Sequence, residues 1–522
     1  MEFQRVKGVV AAGHDKTVEA GERMLLQGGN AFDAAVAASF TTYVAEPTLT
    51  SAGGGGFLLA HQSSGKSCLF DFFTQTPKAR NFESEKDLHF YPITLHFGDG
   101  SQDFHIGYAS VAIPGNIKGL FHVHRKLGKL PIEEVVAPAI ELARNGLTVS
   151  PFNAFCFNLI EPINRESEIG KRLFTRDQHV ISKGSLFFNA DFADTLELLA
   201  RDGGREFYEG EIAAQIAKDC RENGGFVTVD DLRDYAVIER SPVEMNYRGR
   251  RLISNPPPSV GGSMVALMLL LMETFDFTNV DFGSVDHLEK LVSVMDLKNR
   301  LRKSEFDEKV YEQGFRDQFF SSENVYRYQE LLKDNKNRFG STTHVSAIDE
   351  FGNAASCTTS VGQGSAYFVP GTGIHMNNML GEEDLNPQGF HKWQPDVRVS
   401  SNMTPTIVLK NGKPVLALGS GGANRIRTAI FQVLTNIFDF EMNLHDAVES
   451  PRMHFENHHL DVEYGFSESE LKKLHLEDHH SRLHWSDRNL FFGGVHVAGC
   501  TDDGVFKGMG DPRRSGVVKV VD

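Results

Sequence analysis

Gly340-Ser341-Thr342-Thr343-His344-Val345-Ser346 decides how this chain is read. A glycine and hydroxyl residues lead into a run rich in β-branched side chains, which favour a pleated, half-buried strand. Just upstream, Lys333-Asp334-Asn335-Lys336-Asn337-Arg338 is wholly polar, so the break at 341 is the sharpest compositional boundary in the chain. Beyond it, strands are expected at Thr343 to Ile348, Asn353 to Thr359, Thr406 to Leu409 and Val415 to Leu418, with one strong helix from Arg425 to Phe438. Taken alone, the quoted stretch is an edge of Thr-rich strand and no more.

Working toward the N-terminus, Gly8 to Ala12 is a short apolar strand, followed by a helix from Thr17 that ends at Gly28-Gly29. Asn30 stands at an N-cap with Asp33 three residues on, opening a small-residue helix from Ala31 to Phe40 that suits close packing. Gly53 to Gly56 feed a strand at Phe57 to Ala60, and Cys68 to Phe73 is its hairpin partner. Residues 116 to 240 read as mostly helical, with helices at Glu133 to Asn145 and Ala190 to Asp202. Pro256-Pro257-Pro258-Ser259-Val260-Gly261-Gly262 is a rigid bend followed by freed backbone, of the kind that lines a cavity, before a helix from Met264 to Phe275.

Composition excludes several functions. The 522 residues carry 53 Lys+Arg against 69 Asp+Glu, a net charge of −16 that repels a phosphate backbone or an anionic bilayer. Neither nucleic acid nor membrane is an expected partner. Cys68, Cys156, Cys220, Cys357 and Cys500 show no C-x-x-C pair and no disulfide framework. No signal-like apolar stretch follows Met1 to Lys7 and no run of 18 apolar residues occurs, so a soluble, cytoplasmic protein is expected. Gly65-Lys66-Ser67 has Ala60 where a phosphate loop needs glycine, no G-x-G-x-x-G opens a βαβ unit, and no G-x-S-x-G sits between strand and helix. His454, His458, His459, His479, His480 and His484 lie in an acidic segment without H-E-x-x-H, so no metal and no other cofactor is expected.

With Asp349, Gly352-Asn353-Ala354, Pro370-Gly371-Thr372-Gly373 and Asn377-Asn378, the opening stretch resembles the gamma-glutamyltranspeptidase family of N-terminal-nucleophile hydrolases. Further matches run in order along the chain: Gly28 to Ala35, Gly53 to Gly56, Pro256 to Gly262, Met403 to Thr406, Gly419 to Gly422 and Asp511-Pro512-Arg513. The resemblance implies an α+β, four-layer αββα sandwich. It also implies a proenzyme that cuts its own Ser341–Thr342 bond, leaving a large chain, 1–341, and a small one, 342–522, as one intertwined unit, with a higher oligomer open. A hydroxyl one residue from the preceding carbonyl can attack it and give an ester that water opens. The freed Thr342 then has both a nucleophilic Oγ and an α-amine, whose unperturbed pKa of roughly 7.7–8.0 suits a base near neutral pH.

By the same resemblance Ser360 supports that amine, Gly421-Gly422 (or Gly422-Ala423) supplies the oxyanion donors, and Thr358 is retained on the face of Ser360. Glu382 or Glu383 meets the donor's α-amine, and Ser401 and Asn402 line the donor pocket. The implied function is γ-glutamyl hydrolysis or transfer on glutathione-like small molecules, with an acylase or amidase of another donor, or an inactive binding protein, as alternatives. The pocket departs from the family pattern. Phe73 stands where the family's carboxylate-binding Arg belongs, Gly362 replaces Asn, Met379 replaces Gln or Glu, Glu382 replaces Asp and Asn402 replaces Ser. The segment between Asn378 and Ser401 is shorter than in members with a long lid, which favours hydrolysis over transfer.

Overall fold

In the computed structural model the described residues are 5–80, 82, 84–97, 100–307, 309–329, 342–386, 388–456, 458–476 and 480–522. Strand β1 (Gly8–Ala12) leads into α1 (Asp15–Leu26) and α2 (Ala31–Ala45), then the hairpin β2 (Gly55–His61) and β3 (Ser67–Phe72). A mostly helical stretch follows and includes α3 (Ile132–Asn145) and α4 (Ala190–Asp202). Next come β4 (Ile238–Arg240), β5 (Val243–Tyr247), β6 (Arg250–Ser254), α5 (Val260–Met272) and α6 (Val285–Leu301). After residue 341 the chain forms β7 (Thr343–Asp349), β8 (Ala354–Ser360), β9 (Thr406–Lys410) and β10 (Lys413–Gly421). It ends with α7 (Arg425–Phe438), β11 (Gly494–Cys500), β12 (Phe506–Met509) and β13 (Val517–Val521).

Two antiparallel sheets result, in the orders β4-β3-β2-β8-β7-β1-β13 and β5-β6-β9-β10-β11-β12. Both mix strands from before and after residue 341. Period-two alternation sorts their side chains into layers. Val10, Leu58, Phe70 and Val345 face outward into a core built with α1 to α4, while Val9, Phe57, Leu69 and Ile348 face inward. The inward set meets Ile253, Ile407, Leu409 and Ala417 of the second sheet, whose outer face (Leu252, Val408, Leu418) packs on α5 to α7. The architecture is the four-layer αββα sandwich of N-terminal-nucleophile hydrolases.

Local signals explain most boundaries. The Asn30–Asp33 capping box is formed, with both the side-chain and backbone halves present. Helix α2 nevertheless runs five residues past Phe40, through Thr41-Thr42-Tyr43-Val44-Ala45, because burial of its whole surface overrides the weak helix propensity of β-branched residues. Helix α1 starts at Asp15 rather than Thr17, since His14 accepts a hydrogen bond from the Lys16 N–H and caps it. Gly261 and Gly262 are not freed backbone: they form the first turn of α5, where the Gly261 N–H donates to the Ser401 carbonyl at 3.0 Å. A hairpin at Tyr91–Phe97 and Gly100–Ile106 was not expected; it buries Leu95, Phe104 and Ile106 in a small core with Ile160, Ile163 and Ala366.

Candidate active site

Thr342 is the first described residue after the polar break, and it lies at the end of β7 between the two sheets. Alternation fixes its direction. Thr343 points outward and donates from Oγ1 to the buried Glu46 carboxylate at 2.9 Å, whereas His344 points inward and bonds Thr358 Oγ1 at 2.7 Å. Thr342 therefore shares the inward face, 4% exposed, and opens into a small cleft with Ser360. The register Thr343↔Thr359 between β7 and β8 is what brings Ser360, the last residue of β8, beside it. Ser360 Oγ accepts the Gly362 N–H at 2.9 Å. Thr358 is engaged by His344, and burial holds that imidazole neutral, well below its usual pKa. No histidine lines the cleft among the described residues.

Strand β10 closes the cleft from the second sheet. A Cβ on Gly421 would lie 2.0 Å from the Thr342 carbonyl oxygen, so this close approach of two backbones is available only to glycine. Gly422 follows at φ +120° and Ala423 at φ 50°, a sharp turn that leads into α7. Arg514, buried, donates from Nη1 to the same Thr342 carbonyl at 3.2 Å. This clamp and Glu46 have no motif around them and were not picked out from sequence; only long-range pairing reveals them. Ser341 lies outside the described residues, so only the Thr342 side of the expected cleavage point is described.

The opposite wall comes from the loop after Asn377-Asn378. Asn377 Nδ2 donates to the Gly53 and Ala112 carbonyls at 2.8 and 2.9 Å, and Asn378 Oδ1 accepts from the Gln363 N–H at 2.8 Å, which pins the following turn. Glu382 lines the cleft and is buried, with Oε1 unbonded. Burial first, and the Asp384 charge second, push its carboxyl up to about 8. Glu383 is exposed and outside the cleft lining, while Asp384, not singled out from sequence, lines it and is itself pushed up by burial. Gly362 explains the longer acid: its φ is +66°, and an added Cβ would come within 2.5 Å of Glu382 Oε1. The carboxylate occupies the room that a side chain at 362 would fill.

Ser401 and Asn402 complete that wall. Ser401 Oγ accepts the Met403 N–H at 3.2 Å, and Asn402 Oδ1 has no hydrogen-bond partner. Phe73 is 1% exposed and stacks on Phe57 with centroids 5.4 Å apart, forming floor where a cation was expected. Arg398 is near but committed: it donates to the Phe73 carbonyl at 2.8 Å and pairs with Asp71 at 3.2 Å. Arg240 holds the other Asp71 oxygen at 2.8 Å. Among the described residues lining the cleft there is no Lys or Arg, and no group of three or more His, Cys, Asp or Glu is placed to hold a metal.

Comparison with known proteins agrees with this geometry. The family model described as Gamma-glutamyltranspeptidase matches residues 17–521. The glutathione hydrolase proenzyme of Escherichia coli (strain K12) is 30% identical over 97% of this chain and 90% of its own length. The acylase ACY 1 proenzyme of Pseudomonas sp. (strain V22) is 29% identical over 98% and 93%. Among solved structures, a cephalosporin acylase from Bacillus halodurans superposes with a TM-score of 0.85 at 26% identity, covering 99% of this chain and 96% of that one.

Proposed function

This chain belongs to the gamma-glutamyltranspeptidase family, and on that premise we propose that it is a self-processing amide hydrolase of the acylase type, whose donor is held without an anchor for an α-carboxylate. One observation carries the reading: the cleft around Thr342 presents Glu382, Asp384 and a buried Phe73, with no cation among its described lining residues. An arginine–carboxylate contact is strong and directional, and nothing in this wall replaces it.

The steps follow from the groups in place. Thr342 Oγ attacks the Ser341 carbonyl, the C–N bond breaks so that the acyl group passes to Oγ and the Thr342 α-amine is freed, and water then hydrolyses the ester to release the Ser341 carboxylate and Thr342 Oγ. That amine, steadied by Ser360 and close to neutral-pH titration, takes the Oγ proton as Oγ attacks the substrate carbonyl. Backbone N–H groups at Gly421-Gly422 receive the oxyanion, and one such donor is typically worth about 10²-fold or more. The amine then protonates the leaving group, and water releases the acyl group from Thr342. Arg514 fixes the Thr342 carbonyl and with it the direction of Oγ.

Hydrolysis is the favoured outcome over transfer. None of the described residues 388–400 lines the cleft, and that segment is tied down beside it by Thr76 Oγ1 to the Gln394 carbonyl (2.6 Å) and Arg80 to the His391 carbonyl (2.7 Å). Water therefore meets no cover from it.

A second reading, γ-glutamyl hydrolysis of glutathione-like donors, is favoured by Glu382 at the position that would receive the α-amine. Four p-nitroanilides separate the two: γ-glutamyl, 4-aminobutyryl, glutaryl and butyryl. The acylase reading expects 4-aminobutyryl to equal or exceed γ-glutamyl in kcat/KM, with glutaryl poorest. A γ-glutamyl preference of tenfold or more would select the second reading instead. The described cysteines are all unpaired, which suits a reducing compartment, and no helix among the described residues is long and apolar enough to cross a membrane. We place the enzyme in the cytoplasm.

A further inference from the structure

The Thr342 cleft shares Asp384 and Leu385 with a second, small cavity on the far side of that turn. The floor is continuous. Phe73, Met379 and Met403 beneath Thr342 belong to the same buried apolar cluster as Val399 and Trp393 beneath the second cavity, with Leu385 packed against it. Phe73 is thus the start of an apolar track at the point where a carboxylate anchor is missing.

Of the charged side chains around the second cavity, Arg302 pairs through Nε with Asp307 at 3.1 Å, and its Nη1 lies 4.0 Å from Glu456. Asp384, at the junction, has its carboxyl pushed up by burial, with the Arg302 charge opposing. Apolar side chains from three segments (Val310 and Tyr311, Leu385, Trp393 and Val399) form one wall of that cavity, beside the polar Thr76, Asn386, Gln388, Gln394 and Ser400. An apolar wall of this kind favours contact with a hydrocarbon arm over burial of an unpaired charge.

We propose that the second cavity is an acyl-arm subsite, and that the enzyme's donors are amides of an uncharged, apolar acyl chain longer than glutamyl, its carbonyl at Thr342 and its tail running past Leu385 onto Val399 and Trp393. This rests on the amide-hydrolase reading above but is tested apart from it.

Two substrate series and one binding measurement form the test. Alkanoyl-p-nitroanilides from butyryl to decanoyl should gain in kcat/KM by up to about fourfold per buried methylene, whereas lengthening the amine side of butyramides should not. A flat or falling acyl series, or a gain confined to the amine side, overturns the proposal. Alkan-2-ones, which carry the carbonyl but no leaving group, report binding without turnover. Decan-2-one should change the protein's tryptophan fluorescence at least tenfold lower in concentration than pentan-2-one, and Trp393→Phe should remove the signal. If decan-2-one binds so while no amide is turned over, the subsite stands and the catalytic reading falls; equal binding of the two ketones sinks the subsite. Val399→Phe should abolish the gain with chain length in protein that still yields two chains. Should that variant not fold, Val310→Phe fills the same cavity from another segment, and an undiminished gain in either folded variant counts against the proposal.

Discussion

Gly421→Ala tests whether the nucleophile's position is set by contact between the sheets. The new Cβ would sit 2.0 Å from the Thr342 carbonyl oxygen, 2.9 Å from its carbon and 3.1 Å from Arg514 Nη1. An unstrained carbon–oxygen contact is about 3.3 Å or more, so Thr342 or β10 must give way by about 1 Å. Both neighbours are backbone or a buried guanidinium, and neither can swing aside. Overpacking of this kind costs about 1–3 kcal/mol of stability. The kinetic cost is larger: a displacement of about 1 Å at a reacting group can cost about 100-fold in rate. The expected result is slowed self-cleavage, visible as precursor on a denaturing gel, and kcat for the matured fraction reduced about 100-fold with KM little changed. Gly412→Ala, in the turn between β9 and β10, meets nothing within 4 Å but has φ +77°. It should lower stability by about 1–2 kcal/mol for that φ and leave kcat alone. A Gly421→Ala protein that matures normally and turns over within twofold of its parent would refute the argument.

Other outcomes follow from the same geometry. Thr342→Ala should leave one uncleaved chain with no turnover, read by gel and by p-nitroaniline release. Ser360→Ala should keep the fold but lower kcat and shift the acidic, ascending limb of its pH profile, since Ser360 acts through the amine, which must be unprotonated to act as base; an unchanged profile would remove it from that role. The carboxyl of Glu382 is raised to about 8, above the ordinary range of an unfolded chain. It holds a proton in the fold that the unfolded chain has lost, so its effect on stability worsens as pH rises from about 4.5 to about 8. Glu382→Gln should therefore melt higher than the parent at pH 8 and alike near pH 4, while the KM for 4-aminobutyryl-p-nitroanilide, which falls with rising pH in the parent, becomes flat. Asp511 is buried between Arg452 (2.7 Å) and Arg513 (3.3 Å), which hold its carboxyl far below the usual range. Asp511→Ala should cost about 3–5 kcal/mol in denaturant unfolding, because buried Arg452 loses its carboxylate partner while Arg513 keeps only Glu463.

Much of the frame was legible in the sequence because its signals are local. Gly8 to Ala12, the Asn30 cap, the hairpin after Gly53 to Gly56 and the helix from Arg425 to Phe438 all stand where propensity and periodicity put them. Boundaries slipped where tertiary burial outweighs propensity, as at the end of α2, and where glycines that look like a loop serve instead as the first turn of α5. Glu382 and Glu383 stood out in the sequence, but that Glu382 and Asp384, and not Glu383, face the cleft depends on a turn pinned by Asn377 and Asn378. Glu46, Arg514 and the cavity beyond Leu385 depend on contacts between residues hundreds of positions apart, and no spacing rule reaches them. Phe73 was conspicuous as a missing charge; that its ring continues an apolar floor is seen only in three dimensions. That floor supports the acylase reading proposed above over γ-glutamyl hydrolysis.

The account turns on self-cleavage at Thr342. N-terminal sequencing and intact mass of purified, active protein measure it directly. Two chains are predicted, the smaller beginning Thr342-Thr343-His344 with a free α-amine, and acyl label retained on that residue when turnover is trapped. An unbroken backbone through 341 and 342 in material with full activity would contradict it.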